Sequence, residues 1–171
     1  MTLWFRAFFI GLLALGLSGC NLQSKEPLFS DAQAKLLLTD YPNLVTYEQK
    51  GGDWKKSDEQ ASFTSQESHY LAKLDKSEIK ITFVPVDGPW WALQAVEAEK
   101  SADYLLVKAA AKELVFYALD CKLLEDSGKF SADIEFKDSD CFVKPEADKM
   151  ALFKALTPFT SEPMTKQVSE P

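Results

Sequence analysis

Histidine occurs once in this 171-residue chain, at His69, glycine seven times and cysteine three times. Each scarcity removes a class of chemistry. One histidine and two distant cysteines, Cys121 and Cys141, cannot supply a zinc tetrad or a histidine pair. Seven glycines, none at the spacing of a phosphate cradle, leave no nucleotide-binding loop. No G-x-S-x-G occurs, and Ser68 next to His69 in a strand would point to the opposite face of the sheet, away from any shared proton. Asp133, Asp138 and Asp140 lack the glycine and terminal glutamate of a calcium loop and read as a solvated acidic stretch. Among 26 acids nothing singles out a carboxylate pair for glycoside cleavage. No metal or other cofactor is therefore expected. Positive charge is short as well, with 19 Lys and Arg against those 26 acids and a net charge of −7. Such a surface excludes nucleic acid and broad attraction to anionic lipid.

Oily sequence is concentrated at the start. The segment LLALGLSGCNLQSKEP, residues 12–27, turns from apolar to polar at Cys20. Ahead of it come a positive amino end with Arg6, an apolar core from Ala7 to Leu17, and small Ser18 and Gly19. These are the three parts of an export signal. The core falls short of the roughly 20 apolar residues that cross a hydrocarbon layer of about 30 Å, so it reads as a leader to be removed. The tetrapeptide Leu17-Ser18-Gly19-Cys20 resembles the lipobox of bacterial lipoprotein precursors. The resemblance implies a diacylglyceryl thioether on Cys20, cleavage before it, and a further acyl chain on the new amine. In the sorting of such lipoproteins an aspartate after the cysteine favours retention in the inner membrane. Asn21 in its place implies the outer membrane; it does not fix which face the protein occupies, and the periplasmic face is the one expected.

Removing 19 residues of 171 leaves 152, enough for one domain with a core. The leader carries one base and no acid, so the mature balance is 18 bases to 26 acids, or −8. Besides Cys20 only Cys121 and Cys141 remain, an even pair in an oxidising compartment, which predicts a disulfide. Closing that loop is worth about 3 kcal/mol in the chain-entropy account.

The organisation expected is a leader over 1–19, a lipidated cysteine and polar tether over 20–29, one β-rich domain over 30–158, and a disordered polar tail over 159–171. Ser30 and Gln33 have capping-box spacing and predict a short N-terminal helix through Leu38. Period-two alternation predicts a hairpin from Tyr70–Leu74 and Ile79–Phe83, and further strands at Leu44–Glu48, Gln60–Thr64, Trp90–Val96 and Phe130–Phe136. The segment from Tyr104 to Asp120 echoes the first hairpin. Its Ala109–Lys112 centre has helix propensity, yet Val107 and Leu114–Tyr117 favour strands. Pro145 is placed to open a C-terminal helix that ends at Pro158. The fold class expected is mainly β, an antiparallel meander forming a small barrel or sandwich with a short N-terminal helix and a C-terminal helix.

Asp87-Gly88-Pro89-Trp90-Trp91 is the most individual motif. Adjacent tryptophans on a strand face opposite sides, which makes Trp90 a candidate surface for a ligand or partner. The function expected is that of a non-enzymatic envelope lipoprotein, held in the membrane by acylated Cys20 and binding an envelope protein or a cell-wall component. Inhibition of an exported enzyme such as a basic lysozyme is the alternative, suggested by size, layout and acidity. A cell-wall hydrolase ranks third.

Overall fold

A computed structural model describes residues 22–41, 43–57, 63–73, 78–97, 101–138 and 140–170. The leader and Cys20 lie outside them. The described residues form twelve strands and two α-helices. The strands are β1 (Leu22–Ser24), β2 (Leu44–Lys50), β3 (Asp53–Lys56), β4 (Thr64–Ser65), β5 (Tyr70–Lys73), β6 (Glu78–Asp87), β7 (Trp90–Glu97), β8 (Ala102–Ala109), β9 (Glu113–Leu119), β10 (Ile134–Lys137), β11 (Asp140–Val143) and β12 (Thr160–Ser169). The helices are α1 (Cys121–Ser127) and α2 (Lys149–Leu156).

The alternating segments form the meander expected of them. Strands β5 to β9 pair in sequence, each antiparallel to the next, with Tyr70 opposite Ile81 and Leu106 opposite Tyr117. The alanine-rich stretch before Glu113 turns the chain, because β-favouring residues on both sides gain a ladder and a buried face that local helix propensity does not offset. Gly88, at φ 53°, permits the tight turn between β6 and β7.

The sheet runs β3-β2-β12-β9-β8-β7-β6-β5-β4 and its two ends do not meet, so it is open and not a closed barrel. Both of its faces are covered. On one, Val84, Ala92, Tyr104, Leu106 and Leu119 pack with Leu22, Phe29, Leu124 of α1 and Leu152, Phe153 and Leu156 of α2. On the other, Ile79, Ile81, Phe83, Leu93, Leu105, Val107, Leu114 and Phe116 pack with Leu37 and the half-buried Tyr41, Phe63 and Met164. A sheet buried on both faces explains why the alternation of β5 and early β6 gives way to apolar runs at Phe83–Val86, Trp90–Leu93 and Tyr104–Val107.

Four expectations are corrected. The N-terminal helix does not form. Ser30 and Gln33 do bond, with Ser30 N and Oγ donating to Gln33 Oε1 at 3.1 and 3.2 Å. The turn is not continued, because Lys35 N donates to Phe83 O of β6 at 2.9 Å, which takes the backbone to the sheet. Only a 3-10 turn at Leu37–Asp40 follows. The C-terminal helix is present but starts at Lys149, four residues beyond Pro145. Its N-cap is Asp148, whose carboxylate accepts from Ala151 N at 3.1 Å.

The third correction concerns residues 159–171. They are not a disordered tail, since β12 lies between β2 and β9 in the middle of that half of the sheet. Pro163 is accommodated at an irregularity in the β12–β9 ladder, where a missing N–H costs little. The fourth concerns the tether. Within 20–29, Leu22–Ser24 is a strand, Leu22 and Ser24 are buried, and Phe29 is in the core.

Helix α1 is an element the sequence reading passed over. Asp120 caps it, its carboxylate accepting from Lys122 N and Leu123 N at 2.9 and 3.2 Å, and Gly128 ends it at φ 66°. Both signals are present in the sequence. They enclose only seven residues, and the preceding β9 pattern runs into them without a break.

Candidate functional site

The first folded residues are built into the sheet by a buried polar network. β1 pairs antiparallel with the start of β8, Leu22 opposite Tyr104, and parallel with β11, Leu22 opposite Cys141. The Tyr104 hydroxyl accepts from Leu28 N at 3.0 Å, donates to Gln94 Oε1 at 3.0 Å and lies 2.7 Å from Ser24 Oγ. Gln94 Oε1 also accepts from Phe29 N at 3.0 Å, while its Nε2 donates to Phe29 O at 3.1 Å. Phe29 is thereby held against Tyr104 and Phe153, with ring centroids 6.2 and 5.1 Å away. These bonds satisfy backbone groups of a segment with no regular partner of its own, which is what its burial requires.

Burial pushes the Tyr104 phenol up to about 12, against hydrogen bonds from Ser24 and Leu28 that favour its ionised form. The folded state therefore prefers neutral Tyr104. Stability from this group is complete below its ordinary value of 10.0 and is lost as pH climbs toward 12. Tyr104→Phe leaves Leu28 N–H without its partner and is expected to cost about 1–3 kcal/mol, read as a lower urea midpoint. It should also flatten the fall in stability on the alkaline side. An unchanged midpoint would contradict the network's role.

Next to β1 is the disulfide. Cys121 and Cys141 are bonded, with Cα atoms 5.6 Å apart, as the cysteine count predicts. The bond ties the first residue of α1 to β11, the parallel neighbour of β1. Cys121→Ser should destabilise the domain by about 3 kcal/mol, lowering Tm by roughly 6–12 °C for a domain of this size. A melting curve superimposable on the parent's would contradict this.

Trp90 and Trp91 face opposite sides of β7, toward the first and second clusters respectively. Trp90 is half-buried. Its ring is tilted against Tyr117 at 5.4 Å between centroids, and Lys108 Nζ stands 5.5 Å from it.

His69 lies in the irregular residues ahead of β5, its backbone paired with Gln66, and its Nδ1 is buried without a hydrogen-bond partner. The nearby Asp31 carboxyl is held below the usual range chiefly by its hydrogen bond from Lys80 at 2.6 Å, with slight burial opposing and the charges of Lys80 and His69 assisting. Asp133, Asp138 and Asp140 are not gathered. Among the described residues no group of three or more His, Cys, Asp or Glu side chains is placed to hold a metal ion.

A cleft of about 560 Å³ opens between α2 and the residues leading into β10. Phe130, Leu152 and Phe159 form its apolar floor, and Lys129, Asp133 and Asp148 edge it. Lys129 Nζ is 5.1 Å from the Phe159 ring, so one wall is a cation over an aromatic face. Sequence reasoning missed this cleft because its walls come from a turn and a helix whose start lies later than Pro145.

No helix among the described residues is long and apolar enough to cross a membrane. Compared with protein-family models, curated proteins and solved structures, the chain matches none.

Proposed function

We propose that this chain is the precursor of a lipid-anchored bacterial envelope lipoprotein, held in the outer membrane through Cys20 and working by binding, without catalysis, on the periplasmic side. The observation that carries the reading is Leu17-Ser18-Gly19-Cys20, set between an apolar core and a polar segment. One structural feature agrees with it. The Cys121–Cys141 bond is of the kind that persists in an oxidising compartment. A binding role draws support from the scarcity of catalytic side chains in the sequence and from the cleft beside α2, whose apolar floor and charged rim suit a side chain of an envelope protein or a wall fragment.

The test uses the full-length protein extracted from membranes in detergent. The expected result is recovery from outer-membrane fractions with lipid mass on Cys20, together with a stoichiometric envelope partner. Capture and inhibition of a basic lysozyme would make it an inhibitor. Turnover of wall or lipid by the purified protein alone would overturn the binding role.

A further inference from the structure

We infer that the folded domain lies directly against the bilayer that holds its anchor, with α1 and the beginning of β11 toward the lipid headgroups. This rests on the reading of Cys20 as lipidated. Only Asn21 separates Cys20 from Leu22, and a fully extended chain spans at most about 7 Å over those two steps. Leu22 has no exposed surface. Its strand is paired on both sides, to β8 and to β11, and its neighbours are fixed by Tyr104 and Gln94, so no slack can be drawn from the fold. A flexible tether of ten residues would have let the domain wander by about 17 Å.

The pairing also says where Leu22 sits. Beside Leu22, from Leu106 onward, that edge of β8 is occupied by β9, so Leu22 stands at the end of β9. On its other side β1 runs parallel to β11 from Cys141, which puts Leu22 beside the beginning of β11. Cys141 is bonded to Cys121, the first residue of α1. Helix α1 thus stands at the same end of the sheet as Leu22, and it carries Leu123, 43% exposed and the single exposed large apolar side chain among the described residues. Lys122, Glu125 and Asp126 surround it with both signs of charge, so contact is enforced by the acyl chains and does not depend on anionic lipid. A chain of this size has a radius of gyration of about 15 Å, so anything the domain binds must come within about 40 Å of that bilayer.

The test places a fluorophore at Leu123→Cys in the lipidated protein, and for comparison at Lys112→Cys. Lys112 is exposed in the β8–β9 turn, at the other end of a strand about 20 Å long. The proteins are reconstituted in vesicles of phosphatidylethanolamine and phosphatidylglycerol containing a nitroxide-headgroup lipid. Emission at 123 is expected to fall by more than half, with little change at 112. Lys122→Cys is a second reporter on α1 and should behave like 123. Inserting a Gly/Ser linker of about 20 residues after Asn21, with an average span of about 25 Å, should restore the emission while the protein stays on the vesicles. Equal quenching at 123 and 112, or quenching at 123 that survives the insertion, would overturn the orientation. Lipid mass is measured on the same samples. Its absence from Cys20 would overturn the anchoring and the orientation together, whereas its presence with equal quenching would overturn the orientation alone.

Discussion

Deleting residues 160–171 is expected to abolish the native fold. The deletion removes β12, which pairs with β2 from Glu48 to Leu44 and with β9 from Leu119 to Glu113. Thr165 and Gln167 are buried within it, and Met164 packs against the second apolar cluster. Two ladders go at once, at about 1 kcal/mol for each backbone hydrogen bond, against a total stability of about 5–15 kcal/mol. The β2–β3 hairpin would lose its one neighbour in the sheet order among the described residues, and β9 would present a bare edge prone to pairing with other chains. Circular dichroism of the truncated protein should find no cooperative melting transition, and the protein should aggregate. A truncated protein melting within a few degrees of the full chain would contradict the placement of β12.

Cys20→Ala is expected to move the protein almost entirely out of the membrane fraction, or to leave it as an uncleaved precursor. The thioether requires sulfur at that position, and each buried methylene of the acyl chains contributes about 0.8 kcal/mol, so the change is close to all-or-none. Tm of the released domain should be unchanged, because the substitution leaves the pairing of Leu22–Ser24 and the polar network on Tyr104 in place. Membrane fractionation like the parent's, with normal cleavage, would refute the tether.

The two predictions sit at opposite ends of what could be read from residues alone. The meander from β5 to β9 was legible because apolar residues alternate in β5 and early β6, β-favouring residues fill the later strands, and its turns carry Gly88 or a polar interruption. The disulfide was legible from counting. Strand β12 was not, because its buried positions are Thr165 and Gln167 in place of aliphatic residues, and Pro163 lies within its span. Its burial is decided by the neighbours that flank it. β1 was hidden for a related reason. Three residues hold no periodicity, and the side chain that holds them, Tyr104, is 80 positions from Ser24 in sequence. Closure into a barrel could not be read either, since it depends on whether β3 and β4 meet, and their residues carry little apolar pattern. Of the candidate site, Cys20 is a sequence feature throughout; the opposite facing of Trp90 and Trp91 follows from strand geometry, but that both faces of the sheet are covered does not. The cleft beside α2 depends on the tertiary meeting of Phe130 with Phe159, 5.0 Å between ring centroids, and had no local signal.

The most direct measurement is the mass of the amino-terminal peptide of the mature protein isolated from its own membranes. The account predicts a peptide that begins at Cys20 and carries a thioether-linked diacylglycerol, with or without an amide-linked acyl chain. A free thiol at Cys20, or a peptide that still contains the leader, would contradict it.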